Sequence, residues 1–230
     1  MVLQCTSEKE KFRKFYNFFN DKIKKMSTTI EILDYLTTHE EDYTNLITIS
    51  PAFMSVVISN FWSQAVIGLY AFYYENNDFS FKKFFNYTKA NWNKIFPQSI
   101  ELSGRKSKNF NYDTFSKTIE DCESLIKQNQ SKIALLRDFR DKVFAHFGDI
   151  TKEKEKKEIS VDILQEILLV TVEIFNKIVV YYDGVIIAMP PLNARDIHQL
   201  CWVIKMYMTF QDEIRNLYRR KQNEEMQNER

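Results

Sequence analysis

"TNLITISPAFMSVVISNFWSQAVIGLYAFYY", residues 44–74, decides what kind of protein this is, because the stretch carries no charge and is long enough to cross a bilayer. Ser55, Ser59, Asn60, Ser63 and Gln64 sit near its middle, and Pro51 follows Ser50 at a place suited to a helix start. A serine oxygen there accepts an orphan N–H, and proline in the first turn has none to satisfy. We read the segment as the buried central helix of a helical protein with no membrane partner. At 230 residues and 44% hydrophobic content, the chain has enough apolar side chain to build a sizeable core around such a helix.

Outward from this helix the spacing stays helical, and apolar residues recur every three or four positions with few alternating stretches. Residues 7–26 make a first helix with Phe12, Phe15, Phe19 and Ile23 on one stripe. Ser27, Thr28 and Thr29 are cap candidates for a second over about 28–47. "ENNDFS" (75–80) is a turn, after which Asp78 or Ser80 caps a short helix ending near Phe96-Pro97. Residues 97–112 form the main irregular loop, and Asp113 caps the helix that follows. Periodicity leaves open one long helix or two between 114 and 147; the polar run "KQNQSK" (127–132) favours two, joined near Asn129.

Ser160 caps a strongly amphipathic helix in which Ile163, Ile167, Val170, Ile174, Ile178 and Tyr181 share a face, ending at Asp183-Gly184. Pro190-Pro191 forbids helix, and Asn193 or Asp196 opens a last one through about Tyr218. The remaining "RRKQNEEMQNER" (219–230) is expected as a frayed helical end or disorder. The expectation is an all-α, single-domain up-and-down bundle of seven or eight helices with its core over about 28–218. The 44–74, 160–182 and 137–147 helices would lie at its centre.

Composition narrows the chemistry. Gly68, Gly104, Gly148 and Gly184 are too scattered to form a phosphate-cradling loop or a nucleophile elbow. A net charge of +1 leaves nucleic-acid binding to a local patch. Cys5, Cys122 and Cys201 are odd in number and far apart, which suits free thiols in the cytoplasm, and the first residues lack a secretory signal pattern. His39, His146 and His198 fall on three segments, so neither a metal site nor a cofactor is expected. The abundant aromatic residues read as core in preference to base-stacking platforms.

One stretch resists a purely structural reading. "RDFRDKVFAHFGD" (137–149) sets Arg140, Asp141 and His146 near the end of an apolar helix that Gly148 is placed to terminate. On a helix, six residues turn through about 600° and rise about 9 Å, so Arg140 and His146 are badly placed to serve each other within one chain. Together they supply an anion binder and a proton carrier on one element.

"RDKVFAH" resembles the signature of the HEPN superfamily, small all-helical domains marked by Arg, a polar residue, and His a few positions on. "LRDFRDKVFAH" resembles in particular the HEPN proteins of phage abortive-infection systems, and residues 50–180 resemble their architecture. The resemblance implies a metal-independent endoribonuclease acting on RNA as a homodimer, with a possible antitoxin protein as partner. In that scheme Arg140 holds the scissile phosphate. His146 shuttles a proton as the 2′-hydroxyl attacks to leave a 2′,3′-cyclic phosphate, and Asp141 orients Arg140 or completes the polar cluster. A different class of function, a non-catalytic helical module that binds RNA, a nucleotide or a protein, remains open beside it.

Overall fold

The structure is a computed structural model that describes residues 7–96, 99–100, 108–109, 111–145, 159–184 and 195–228. It is all-α among these residues, with nine helices and a single antiparallel pair of two-residue strands. In order these are α1 (Glu8–Thr38), α2 (Glu40–Ile49), α3 (Pro51–Tyr73), α4 (Phe81–Ala90), α5 (Trp92–Ile95), β1 (Ser99–Ile100), β2 (Lys108–Asn109), α6 (Tyr112–Gln128), α7 (Gln130–Ala145), α8 (Val161–Asp183) and α9 (Arg195–Asn228).

Several boundaries fall where local chemistry puts them. Ser80 and Ser160 accept from the backbone N–H of Lys83 and Ile163, capping α4 and α8. Gly184 ends α8 in the left-handed conformation, with φ of 71°, which a residue without a Cβ adopts at no cost. The break between α6 and α7 lies at Asn129, whose amide bonds back to the Leu125 carbonyl. The cap of α6 is Asn111, two residues before the expected Asp113, because its Oδ1 accepts from Thr114 N at 2.7 Å.

The first helix departs from expectation. Ser27, Thr28 and Thr29 do not open a new helix; α1 continues through them to Thr38. The Thr28 and Thr29 hydroxyls bond the carbonyls of Lys24 and Lys25 one turn back, so they spend their hydrogen-bonding capacity inside the helix and not at an end. The last helix is also longer than expected and runs to Asn228. Asn91 divides the expected 80–96 helix into α4 and α5, its side chain bonding the Tyr87 carbonyl. Gly148, the expected terminator of the motif helix, lies outside the described residues, as do Gly104 and the Pro190-Pro191 turn.

The chain gathers into two compact units. The first is made of Met1–Ile30 and Asn60–Leu192, and its centre is aromatic. Phe19 is fully buried, with the rings of Phe72, Phe81, Phe84 and Phe175 at 5.0–5.5 Å from its own. Each buried phenylalanine of this kind contributes about 1.5–3 kcal/mol of transfer free energy. Gly68 lets α3 approach α1, since a Cβ there would lie 2.0 Å from the Met26 sulfur. On α8, Leu164, Ile167, Ile174, Phe175, Ile178 and Val179 are all buried, a wider apolar face than a single stripe. The second unit comprises Glu31–Ser59 and Asn193–Arg230, with Tyr35, Leu36, Leu46, Met54 and Cys201 at its core.

Helix α3 is long and apolar enough to cross a membrane by length and composition, with a mean hydropathy of 1.4 over its best window. Its C-terminal half, from Ala65 to Phe72, supplies buried side chains to the first unit, whereas Phe53 and Val56 near its start stay 64% and 60% exposed. The expectation of a buried central helix therefore fits the C-terminal half of α3 better than its start. Apolar composition reports a preference for leaving water and says nothing of which neighbour is at hand.

Candidate functional site

Helix α7 carries the motif. Ile133 and Leu136 bury one side of it, and Arg140, one turn beyond Leu136, follows on that same side. A charged side chain there needs an environment that tolerates it, and the aromatic end of α3 supplies one. The Arg140 guanidinium lies 4.4 Å from the ring centre of Tyr70 and 5.3 Å from that of Tyr74. The two tyrosines are themselves stacked, 5.7 Å apart, as residues four apart on a helix can be. Such cation–π contacts hold a guanidinium without neutralising it.

Asp141 supplies the second restraint. Its Oδ1 accepts from Arg140 Nε at 2.8 Å and from Nη2 at 2.5 Å. Of the five N–H donors on a guanidinium, these contacts take two. The remaining three have no partner among the described residues, and the Arg140 side chain keeps a quarter of its surface exposed. One turn earlier, Arg137 pairs with Asp138 in the same adjacent-residue fashion, both contacts at 3.3 Å. The described face is thus two guanidiniums, each compensated by the next residue.

Beside these residues lies an open hollow of about 380 Å³ lined by Tyr70, Tyr73, Tyr74, Asn76, Gln130 and Arg137 among others. Its floor is held from behind by a part-buried bond: the Tyr73 hydroxyl lies 2.7 Å from Thr171 Oγ1 on α8, and burial pushes the phenol pKa of Tyr73 upward. Tyr70 and Tyr74 were not distinguishable as site residues in the sequence, where their four-residue spacing within "LYAFYY" is shared by many core aromatics. The placement of a charge one turn past a buried leucine was the available signal that something must receive it.

The structure brings Arg140 and Asp141 together. His146, the third candidate, lies outside the described residues. The other two histidines, expected to be unrelated, meet in the second unit: both rings pack on Tyr35, at 4.0 and 4.1 Å, and their centres are 6.0 Å apart. Among the described residues no three His, Cys, Asp or Glu side chains gather as a metal-ligand set. Burial pushes the Cys122 thiol up to about 12, and burial followed by the nearby Asp42 pushes Cys201 up to about 11, which leaves neither with nucleophilic thiolate at neutral pH.

An all-helical domain that presents Arg and Asp side by side near the end of one helix, with a His to follow, has the features of a HEPN-type domain, and the family match assigns it to that class. Residues 9–199 match the AbiU2 family, HEPN_AbiU2, and the chain belongs to that family, a HEPN-type family associated with abortive infection. The match spans α1 to the first turn of α9 and includes the whole motif. Neither curated proteins nor solved structures give a match to the chain.

Proposed function

We propose that this protein is a metal-independent endoribonuclease of phage defence, cytoplasmic and homodimeric, with a site composed from Arg140, Asp141 and His146 of two chains. The observation that carries the proposal is the state of Arg140. It is oriented by two tyrosines and one carboxylate, yet among the described residues three of its N–H donors are left for a phosphate. Orientation before substrate arrives is what an electrostatic catalyst requires, since no reorganisation is then needed as charge builds on the phosphorane. Family membership supports the reading by placing the motif in an abortive-infection context.

In the proposed reaction Arg140 binds the non-bridging oxygens of the scissile phosphate. His146, acting as a base, takes the proton of the 2′-hydroxyl, which attacks phosphorus. The 5′-oxygen leaves with a proton returned from a protonated His146 of the paired chain, giving a 2′,3′-cyclic phosphate. Asp141 keeps the guanidinium edge-on to the phosphate. The open hollow beside Tyr74 and Arg137 gives room for a base next to the cleaved bond. An antitoxin protein that covers this face would restrain the activity.

The test is cleavage of a single-stranded RNA panel by purified protein in EDTA, with product ends typed by sensitivity to phosphatase before and after acid. Arg140→Ala and His146→Ala should abolish cleavage while the helical circular-dichroism signal is unchanged. Cleavage equal to wild type in both variants refutes the proposal. The compensation of Arg137 and Arg140 by Asp138 and Asp141 favours a second reading, a non-catalytic module that binds RNA, a nucleotide or a protein. Saturable binding without product on every substrate would establish that instead.

A further inference from the structure

Helix α9 has two apolar faces, and the second unit uses one. Cys201, 4% exposed, and Ile204 pack with Tyr35, Leu36, Leu46 and Met54, while Lys205 on the same side bonds Glu41 at 2.8 Å. The other face is exposed among the described residues. Leu200, Trp202, Val203, Met206, Tyr207 and Phe210 are between 48% and 64% exposed. At about 100° per residue these six fall within an arc of about 160°.

We infer that this face of α9 is a self-association surface whose occupant is the α9 face of a second copy of the chain. Three observations favour that occupant. Val203, Met206 and Phe210 follow one another at intervals of three and four, which places Val203 and Phe210 at a and Met206 at d of a heptad, with Trp202 at g and Tyr207 at e. A face patterned so is self-complementary, as a two-fold interface must be. The exposed area of the six side chains is on the order of 650 Å² per copy, against about 800 Å² per partner in a standard interface. It also exceeds the apolar patch of about 300–600 Å² that an ordinary monomer leaves in water.

Charge distinguishes this occupant from a lipid surface. Amphipathic helices that lie on membranes set lysine and arginine beside the apolar face. Between Gln199 and Gln211 the sole cation is Lys205, and it is engaged with Glu41 on the opposite side. Glu213 then occupies the next d position and ends the apolar run, which fixes how far the pairing extends. The six residues all lie past Gln199, where the family match ends, so the surface is a property of this chain beyond the matched region. It rests on no part of the ribonuclease proposal.

The test is sedimentation velocity on the full chain at micromolar concentrations, comparing wild type with Met206→Glu and Phe210→Glu. Both replaced side chains are more than half exposed, so the folded unit keeps its circular-dichroism spectrum and melting temperature. The wild type should self-associate, as a dimer through α9 alone or as a larger assembly where the motif helices also pair, and each substitution should weaken the α9 contact by about 30-fold or more, the effect of losing a hot-spot contact. A wild type that is monomeric at tens of micromolar overturns the inference. So does a dimer equally tight in both variants, which would place the interface elsewhere. A third arm is flotation with vesicles of phosphatidylcholine and phosphatidylglycerol: monomers that float, and cease to float on Met206→Glu, assign the face to lipid and overturn the inference as well. Arg140→Ala should leave the dimer intact, which separates this result from the fate of the catalytic proposal.

Discussion

Replacing Thr171 by valine should destabilise the protein more than replacing Tyr73 by phenylalanine, although both remove the same hydrogen bond. Thr171, fully buried on α8, donates its hydroxyl proton to the Ile167 carbonyl at 2.8 Å, so in its 2.7 Å contact with Tyr73 it is the acceptor and the tyrosine donates. In Tyr73→Phe, Thr171 keeps its bond to Ile167, and the loss is one net hydrogen bond, about 0.5–1.5 kcal/mol. In Thr171→Val the shape is retained, yet the Tyr73 hydroxyl is stranded away from water without an acceptor, at about 1–3 kcal/mol. The double variant removes both partners and should cost less than the sum of the two, with a coupling of about 1 kcal/mol. Urea unfolding followed by circular dichroism gives all three values, provided the slope with denaturant is the same in each. A Tyr73→Phe variant less stable than Thr171→Val, or costs that simply add, would refute the donor assignment and the burial argument together.

Gly68→Ala places a Cβ against the buried Met26 sulfur and should lower stability by about 1–3 kcal/mol, and by less when introduced into a Met26→Ala background, as read by melting temperature. Arg140→Lys should lose nearly as much RNA cleavage as Arg140→Ala, because an ammonium is a point charge that cannot keep contact with both Tyr70 and Tyr74 while presenting a fork to phosphate; retention of more than half the wild-type rate would contradict this. In a Cys5→Ser background, Cys122 and Cys201 should be unreactive towards a disulfide reagent at pH 8 in the folded protein and both react in urea. The raised Cys122 pKa contributes stability that is complete below its unfolded value near 9 and is lost as pH rises towards 12. Urea midpoints should therefore fall more steeply above pH 9 in wild type than in Cys122→Ala.

Local chemistry was legible where a residue has one efficient use. Ser80, Ser160, Asn129 and Gly184 end or begin helices because hydroxyl, amide or missing Cβ satisfies a backbone need at that spot. The run Ser27-Thr28-Thr29 misled because threonine hydroxyls serve as well inside a helix, where those of Thr28 and Thr29 bond a carbonyl one turn back, and no local pattern separates the two uses. The aromatic core was legible as a core, but which rings meet was not, since Phe19 touches Phe72, Phe81, Phe84 and Phe175 across long stretches of chain. The site divides in the same way. Arg140 and Asp141 stood out as charges on an apolar helix, whereas Tyr70 and Tyr74 became part of it only through the packing of α7 beside α3. The exposed start of α3 and the bare face of α9 were invisible for a related reason, since apolar periodicity marks a face that seeks cover and does not name the cover.

The adjacent pairs Arg137–Asp138 and Arg140–Asp141 bear on how any polyanion would be received. The four charges sum to zero, so the face draws no dense cloud of small anions to itself, and few ions would be set free when RNA displaces the carboxylates. Binding through ordinary basic patches weakens steeply with salt, by a slope of about −0.9 for each phosphate neutralised on a duplex and about −0.7 on a single strand. If RNA is what this face receives, the slope should be shallower, with shape and stacking counting for more than the ionic strength of the cell.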